Sequence, residues 1–320
     1  MNILVTGASG FVGLNVLERL LGNGHRVMAV SSDDIPAAAR AELQKLPGEL
    51  RTALADVRDE AALERLLRES QAHAVLAGAA ITSGAARERE TPATILEVNL
   101  VAVLKMVALA ARHGVKRVVA LSSSAAIGER IFGERPVTEE DAAAPVTLYA
   151  VGKAGLEAAA RRWQALSSQP EFIVARVAAV FGPWERDTGV RDALSPLHAL
   201  ASAALRKAAV APLPRGGHRD WVYAPYLAAA LEWMLTAPRL GHTLYNVGAG
   251  TTWHPRELAV LLAINEERGA SAVAFNDDLA RRRTYLDMQR LGAEFQPPPA
   301  PKSAVASYAQ WISRHAEWFQ

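Results

Sequence analysis

Cysteine is absent from the 320 residues. Its absence excludes disulfides, thiolate nucleophiles and cysteine metal sites, and it fits a reducing compartment. Aromatic residues make up only 6% of the chain, so a core has to be assembled mainly from Ala, Val and Leu. Neither sign of charge dominates: 35 Lys and Arg stand against 33 Asp and Glu. No basic stripe interleaved with aromatics is present, which argues against a nucleic-acid partner. The densest basic run, residues 281–283, reads as a solvated face. A long apolar run is also missing, because Lys105 interrupts "LVAVLKMVALAA". The chain opens on "MNILVTG", a strand-like run without the basic start and small-residue cleavage site of a leader, so a soluble cytoplasmic protein without membrane contact is expected. His73, His113, His198, His218, His242 and His254 lack paired spacing, and no metal site is expected.

What the chain does contain is rhythm. "NILVTG" (2–7), "RVMAVS" (26–31), "AVLAGAA" (74–80), "KRVVALSSS" (116–124) and "EFIVARVAAVFG" (171–182) are apolar enough to be strands covered on both sides. Between them lie segments of helical spacing at 11–24, 59–70 and 91–114, and a further helix around residue 149. Alternation of this kind predicts the α/β class, with a doubly wound parallel sheet. Beyond residue 182 prolines multiply and the rhythm weakens, as in "PPPAP" at 297–301, which suggests a smaller C-terminal domain. The expected division is a dinucleotide-binding domain from 1–180 and 219–249, and a substrate domain from 181–218 and 250–320.

Two motifs carry chemistry. "TGASGFVG" spaces Gly7, Gly10 and Gly13 between the first strand and the first helix, with Phe11 and Val12 opening that helix. Glycines let a backbone approach a pyrophosphate, and the first helical turn offers it unpaired N–H groups. The second strand then runs into Ser31 and Asp33. A carboxylate there favours NAD and a serine pair could donate to the 2′-phosphate of NADP, so the cofactor is NAD or NADP. In "LYAVGK", Tyr149 and Lys153 are four residues apart and share one face of a helix. A nearby ammonium stabilises phenolate and would tune Tyr149 as an acid/base.

Taken in order, "TGASGFVG", Asp56-Val57, "AGAA" at 77–80, Asn99, "SSS" at 122–124, "YAVGK", "RVAAVFGP", "RDWVY" and "YNVGAG" resemble the extended short-chain dehydrogenases/reductases, the NAD-dependent epimerase/dehydratase family. The resemblance spans nearly the whole chain. It implies a Rossmann-type fold and a catalytic set of Ser124, Tyr149 and Lys153, with Asn99 in a structural or relay role beside them. Ser122 or Ser123 could take the place of Ser124. It implies cofactor contacts from Asp56 and Val57 at the adenine, from Ala77, Gly78 and Ala79 under the dinucleotide, from Lys153 at the ribose, and from Arg176. Ala125 and Arg219 would meet substrate. Family dehydratases carry an Asp-Glu pair after the catalytic hydroxyl residue, where this chain has Ala125 and Ala126, which argues against water elimination. The remaining expectation is an oxidoreductase moving hydride at a secondary alcohol or ketone of a sugar-like small molecule. A nucleotide-sugar 4-epimerase is the alternative, and a non-catalytic dinucleotide-binding redox sensor is a third. Pairing of the two helices around residues 92–112 and 148–166 implies a homodimer.

Overall fold

Strands buried on both faces have no polar side to show, and these strands obey that rule. In the computed structural model, which describes residues 1–192, 194–206, 218–255, 257, 260 and 283–319, nine strands form. They are β1 (Asn2–Thr6), β2 (Arg26–Ser31), β3 (Glu49–Leu54), β4 (Ala74–Ala77), β5 (Arg117–Ser123), β6 (Glu171–Val177), β7 (Ala179–Phe181), β8 (Trp221–Tyr223) and β9 (Leu244–Val247). Seven make one parallel sheet in the order β3-β2-β1-β4-β5-β6-β9. Side chains alternate across it. Ile3, Val5, Val27, Leu76, Val119 and Ile173 face the helices Phe11–Gly22 and Ala224–Thr236. Leu4, Met28, Val30, Val75, Val118 and Val174 face the helices Glu60–Ser70, Pro92–Arg112 and Leu148–Leu166.

The sequence order of strands reverses between β1 and β4, so the chain leaves these neighbours in opposite directions. A crevice opens at their carboxyl ends, where open parallel sheets place ligands. Gly7 and Gly78 follow the two strands there. The helix Pro92–Arg112 is 21 residues long and apolar enough by length and composition to cross a membrane. Here Val103, Met106, Val107 and Ala110 are buried against the sheet. Val101 and Leu104 on its other face, with Val151 on the neighbouring helix, are exposed.

Three features depart from expectation. The strand expected over 171–182 breaks at Ala178, and β7 leaves the main sheet to pair in parallel with β8. β3 was hidden in the sequence because, as an edge strand, "ELRTAL" is mostly exposed and mixes charge with apolar residues. The core is also not aliphatic throughout. Trp184 packs edge-on against Trp311 and Trp318, and Phe181 against Trp253 and Tyr308. The few aromatics are therefore concentrated where the later helices dock and fewer strands are available to supply apolar surface. Of the basic run at 281–283, residues 281 and 282 lie outside the described part of the chain.

Candidate active site

A cleft of about 1110 Å³ runs along the carboxyl ends of the parallel strands. Gly7, Gly10, Phe11, Val12 and Gly13 line one end, with Ser31, Asp33, Asp56 and Val57 beside them. Gly7 has a φ of +68°, and a Cβ on it would stand 2.7 Å from the Ala79 backbone. A Cβ on Gly13 would meet the Gly7 carbonyl at 2.2 Å. Gly10 caps the helix Phe11–Gly22 without a side-chain hydrogen bond, so its first N–H groups remain available to an anion. The turn, the bare helix start and the small Gly78-Ala79 floor fit a dinucleotide pyrophosphate. Ala77 lies beneath this surface as a buried strand residue.

At the ribose end, the Ser31 hydroxyl donates to the Asp33 carbonyl at 2.8 Å, and Ser32 donates to the Asp33 carboxylate at 2.8 Å. Asp56 accepts from the Arg58 backbone N–H at 2.8 Å and from its guanidinium at 2.6–3.1 Å. The hydrogen-bonded guanidinium holds the Asp56 carboxyl below its ordinary range.

Tyr149 and Lys153 enter from the start of the helix Leu148–Leu166. Thr147 caps that helix, its side chain accepting from Ala150 N–H at 3.1 Å. The cap sets the first turn so that Tyr149 and Lys153 both face the cleft. The Lys153 ammonium lies 5.5 Å from the Tyr149 ring centre. Burial pushes the Tyr149 pKa up, opposed by the neighbouring Ser123 and Thr82 side chains and by the charge of Arg191. Burial also presses Lys153 down to about 8. The phenol is raised rather than lowered as Lys153 led one to expect: desolvation outweighs the attraction, and the attracting cation is Arg191.

Ser123 stands beside Tyr149 and lowers its pKa, and Ser124 lines the same cleft. β5 ends at Ser123, whose extended backbone (φ −147°, ψ 151°) caps the following turn while its Oγ accepts from Ala125 N–H at 3.2 Å. Ser122 faces away and donates to Glu157 at 2.7 Å. Ser124 and Ala125 also line the cleft, and neither is among the groups that shift the phenol. Accordingly, Ser123→Ala is expected to lower turnover about tenfold, and Ser124→Ala less than about threefold, in steady-state assays. Equal effects would cancel the distinction.

Two further expectations move. Arg176 is 1% exposed and does not reach the cleft. Its guanidinium is bidentate on Glu157 (2.6 and 2.9 Å) and also donates to the Thr138 carbonyl at 2.9 Å, a buried structural pair rather than a cofactor contact. Asn99 does not touch Tyr149 either. It sits in a π-helical stretch, Glu97–Val101, and donates to the Ile81 carbonyl at 2.8 Å while accepting from Ile81 N–H at 3.3 Å. Asn99 therefore fixes the loop that delivers Thr82. Gly152 packs against it, since an added Cβ would come within 3.2 Å of the Asn99 Cβ.

Arg219 lines the opposite end, its guanidinium 5.7 Å from the Trp221 ring centre. Arg283 also lines the cleft, 4.7 Å from the Phe132 ring centre, so at least this member of the basic run is no solvated face. Thr82, Arg186, Arg191 and Arg283 were not named individually as site residues from sequence. They lie outside the strands and helices, and only the fold brings them together.

Comparison with known proteins gives a family, two relatives and a solved structure. The model of the NAD dependent epimerase/dehydratase family matches residues 3–248. A UDP-glucose 4-epimerase of Pisum sativum is 27% identical over 279 residues, covering 78% of this chain and 76% of its own. A dTDP-glucose 4,6-dehydratase of Salmonella typhimurium is 24% identical over 355 residues, covering 99% of this chain and 94% of its own. Among solved structures, the dTDP-glucose 4,6-dehydratase DesIV of Streptomyces venezuelae, with NAD and TYD bound, superposes with a TM-score of 0.79 at 24% identity, covering 99% of this chain and 98% of that one. That likeness shows a shared fold.

Proposed function

The chain belongs to the NAD-dependent epimerase/dehydratase family, and from that premise we propose that it is a nicotinamide-dependent oxidoreductase of a secondary alcohol or ketone on a sugar-like small molecule. One observation carries the reading: Tyr149 and Lys153, with Ser123 and Thr82 beside them, line the same cleft as the glycine-rich turn.

The turn at Gly7–Gly13 would hold the pyrophosphate, Ser31 and Asp33 the adenosine ribose, and Lys153 the ribose nearest the reaction. Bound there, the nicotinamide would supply a two-electron hydride acceptor or donor. Ser123 would hold the reacting substrate oxygen by hydrogen bond. In the oxidising direction, Tyr149 as phenolate would take the hydroxyl proton as the alcohol becomes a ketone. In reverse, the protonated phenol would return that proton to the same oxygen as the ketone becomes an alcohol. Burial keeps Tyr149 protonated near neutrality, so the resting cleft is set for reduction, and oxidation should quicken as pH rises.

Against water elimination stands the lack of a carboxylate just after the serine run, where the chain has Ala125 and Ala126. A 4-epimerase remains the second reading, because Arg219 lines the cleft and relatives of the chain carry that name. An assay separates the two. With NAD and a panel of polyols, aldonic acids and uronic acids, the dehydrogenase reading expects steady absorbance growth at 340 nm. Interconversion of UDP-sugars without net reduction of NAD would establish the epimerase instead.

A further inference from the structure

The segment following Gly182 crosses the mouth of the cleft as a strap. Its entry is fixed: Trp184 adopts a left-handed backbone (φ 67°), costly for a large side chain, and its buried indole donates to Glu18 at 2.8 Å. Its exit is fixed as well. Thr82 N–H donates to the Val190 carbonyl at 2.9 Å and Asp192 N–H to the Thr82 carbonyl at 3.2 Å, while Arg87 pairs with Asp192 and donates to the Gly189 carbonyl at 2.8 Å. The strap is therefore stitched to the same loop that brings Thr82 to Tyr149.

Three arginines serve this strap, and two are committed to carboxylates. Arg87 is bound to Asp192, and Arg191 to the buried Glu185 at 2.8 Å. Arg186 differs. Its guanidinium reaches the glycine-rich turn and donates to the Ser9 carbonyl at 3.1 Å, with a second bond to the Asp187 carbonyl at 3.3 Å. Both acceptors are neutral. Its Nε is buried and has no hydrogen-bond partner, and among the described residues no carboxylate lies within ion-pair distance of it. The carboxylates of Asp33 and the adjacent Asp187 act on it only as longer-range attractions. Partial burial of a guanidinium with an unused donor calls for an anion, and a phosphate oxygen suits its fork geometry. The neighbouring turn is where the phosphates of a dinucleotide are received.

We propose that Arg186 is a phosphate ligand of the bound dinucleotide, so that the strap outside the parallel sheet completes the cofactor site. The proposal rests on the dinucleotide reading above. Two phosphates lie within the chemistry described, the pyrophosphate and the 2′-phosphate of NADP, and affinity tells them apart.

Isothermal titration calorimetry with NAD, NADP and ADP-ribose on the wild-type chain, Arg186→Gln and Arg186→Lys is the test. The Gln variant should weaken NAD and ADP-ribose about tenfold, with a shallower salt dependence, and the Lys variant should recover part of the loss. Such a result places the guanidinium on the pyrophosphate. A loss confined to NADP also supports the proposal and places it on the 2′-phosphate. Wild-type affinities for all three ligands in the Gln variant would overturn it. Should that variant fail to fold, an Arg186→Lys variant that binds every ligand as tightly as wild type, with no change in salt dependence, would overturn it too. A wild-type chain that binds none of the three would instead overturn the dinucleotide reading.

Discussion

Tyr149→Phe should lower kcat by about 10²–10⁴-fold while leaving the dinucleotide dissociation constant within about threefold of wild type. The substitution removes one oxygen and keeps the ring, including its 5.5 Å approach to the Lys153 ammonium. The Ser123 and Thr82 side chains lose a polar neighbour, but both lie at the cleft wall where water can replace it. The fold should therefore survive, and thermal unfolding of the variant checks that it does. Single-turnover measurement of hydride transfer isolates the affected step from binding. If turnover is preserved, the proton travels by another group and the assignment of Tyr149 is wrong. If turnover and cofactor affinity fall together, Tyr149 is a wall of the cofactor site rather than its acid/base.

Lys153→Met should separate stability from activity. Lys153 is 3% exposed, and burial alone takes its pKa from 10.5 to about 8. The sign follows from proton counting. Below pH 8 the ammonium is present in both folded and unfolded chains, so the full burial penalty opposes folding. Between pH 8 and 10.5 only the unfolded chain holds the proton, and wild-type stability rises with pH. Above that window the penalty is gone. The displacement corresponds to a penalty on the order of 3 kcal/mol. Methionine fills similar space without charge, so the variant should be more stable than wild type by on the order of 1–3 kcal/mol at pH 7, and the gap should close toward pH 10. Its turnover should nevertheless fall about 10²-fold, since the cation proposed to order the reacting ribose is gone. Urea denaturation at the two pH values, with kcat at pH 7, measures both. A destabilised variant of normal activity would show Lys153 to be structural.

The contrast between Tyr149 and Ser123 shows how far the sequence could be read. Tyr149 and Lys153 were legible because helical spacing fixes which residues share a face, and the glycine turn because only glycine avoids the 2.2–2.7 Å contacts found at Gly7 and Gly13. The main sheet was legible for the same local reason: a strand covered on both sides is apolar throughout. Ser123 was obscured because three consecutive serines differ only in where β5 ends, and that point is set by the turn from Ser123 to Ala125. Arg176 was misplaced because nothing in "RVAAVFGP" reveals Glu157, its partner 19 positions earlier. Thr82, Arg186 and Arg191 sit on irregular backbone, and their approach to the cleft depends on bonds such as Thr82 to Val190, more than a hundred residues apart. Contacts of that range leave no periodicity behind.

The central claim is spatial: one substrate carbon–oxygen unit must be reached at once by the Tyr149 hydroxyl and by the nicotinamide ring. A crystal structure of the protein with NAD tests it most directly. The account predicts the nicotinamide C4 facing the Tyr149 hydroxyl across a gap that admits a single carbon–oxygen group, with Lys153 at the adjacent ribose. A nicotinamide ring turned away from Tyr149, or a dinucleotide bound elsewhere than along the Gly7–Gly13 turn, would contradict it.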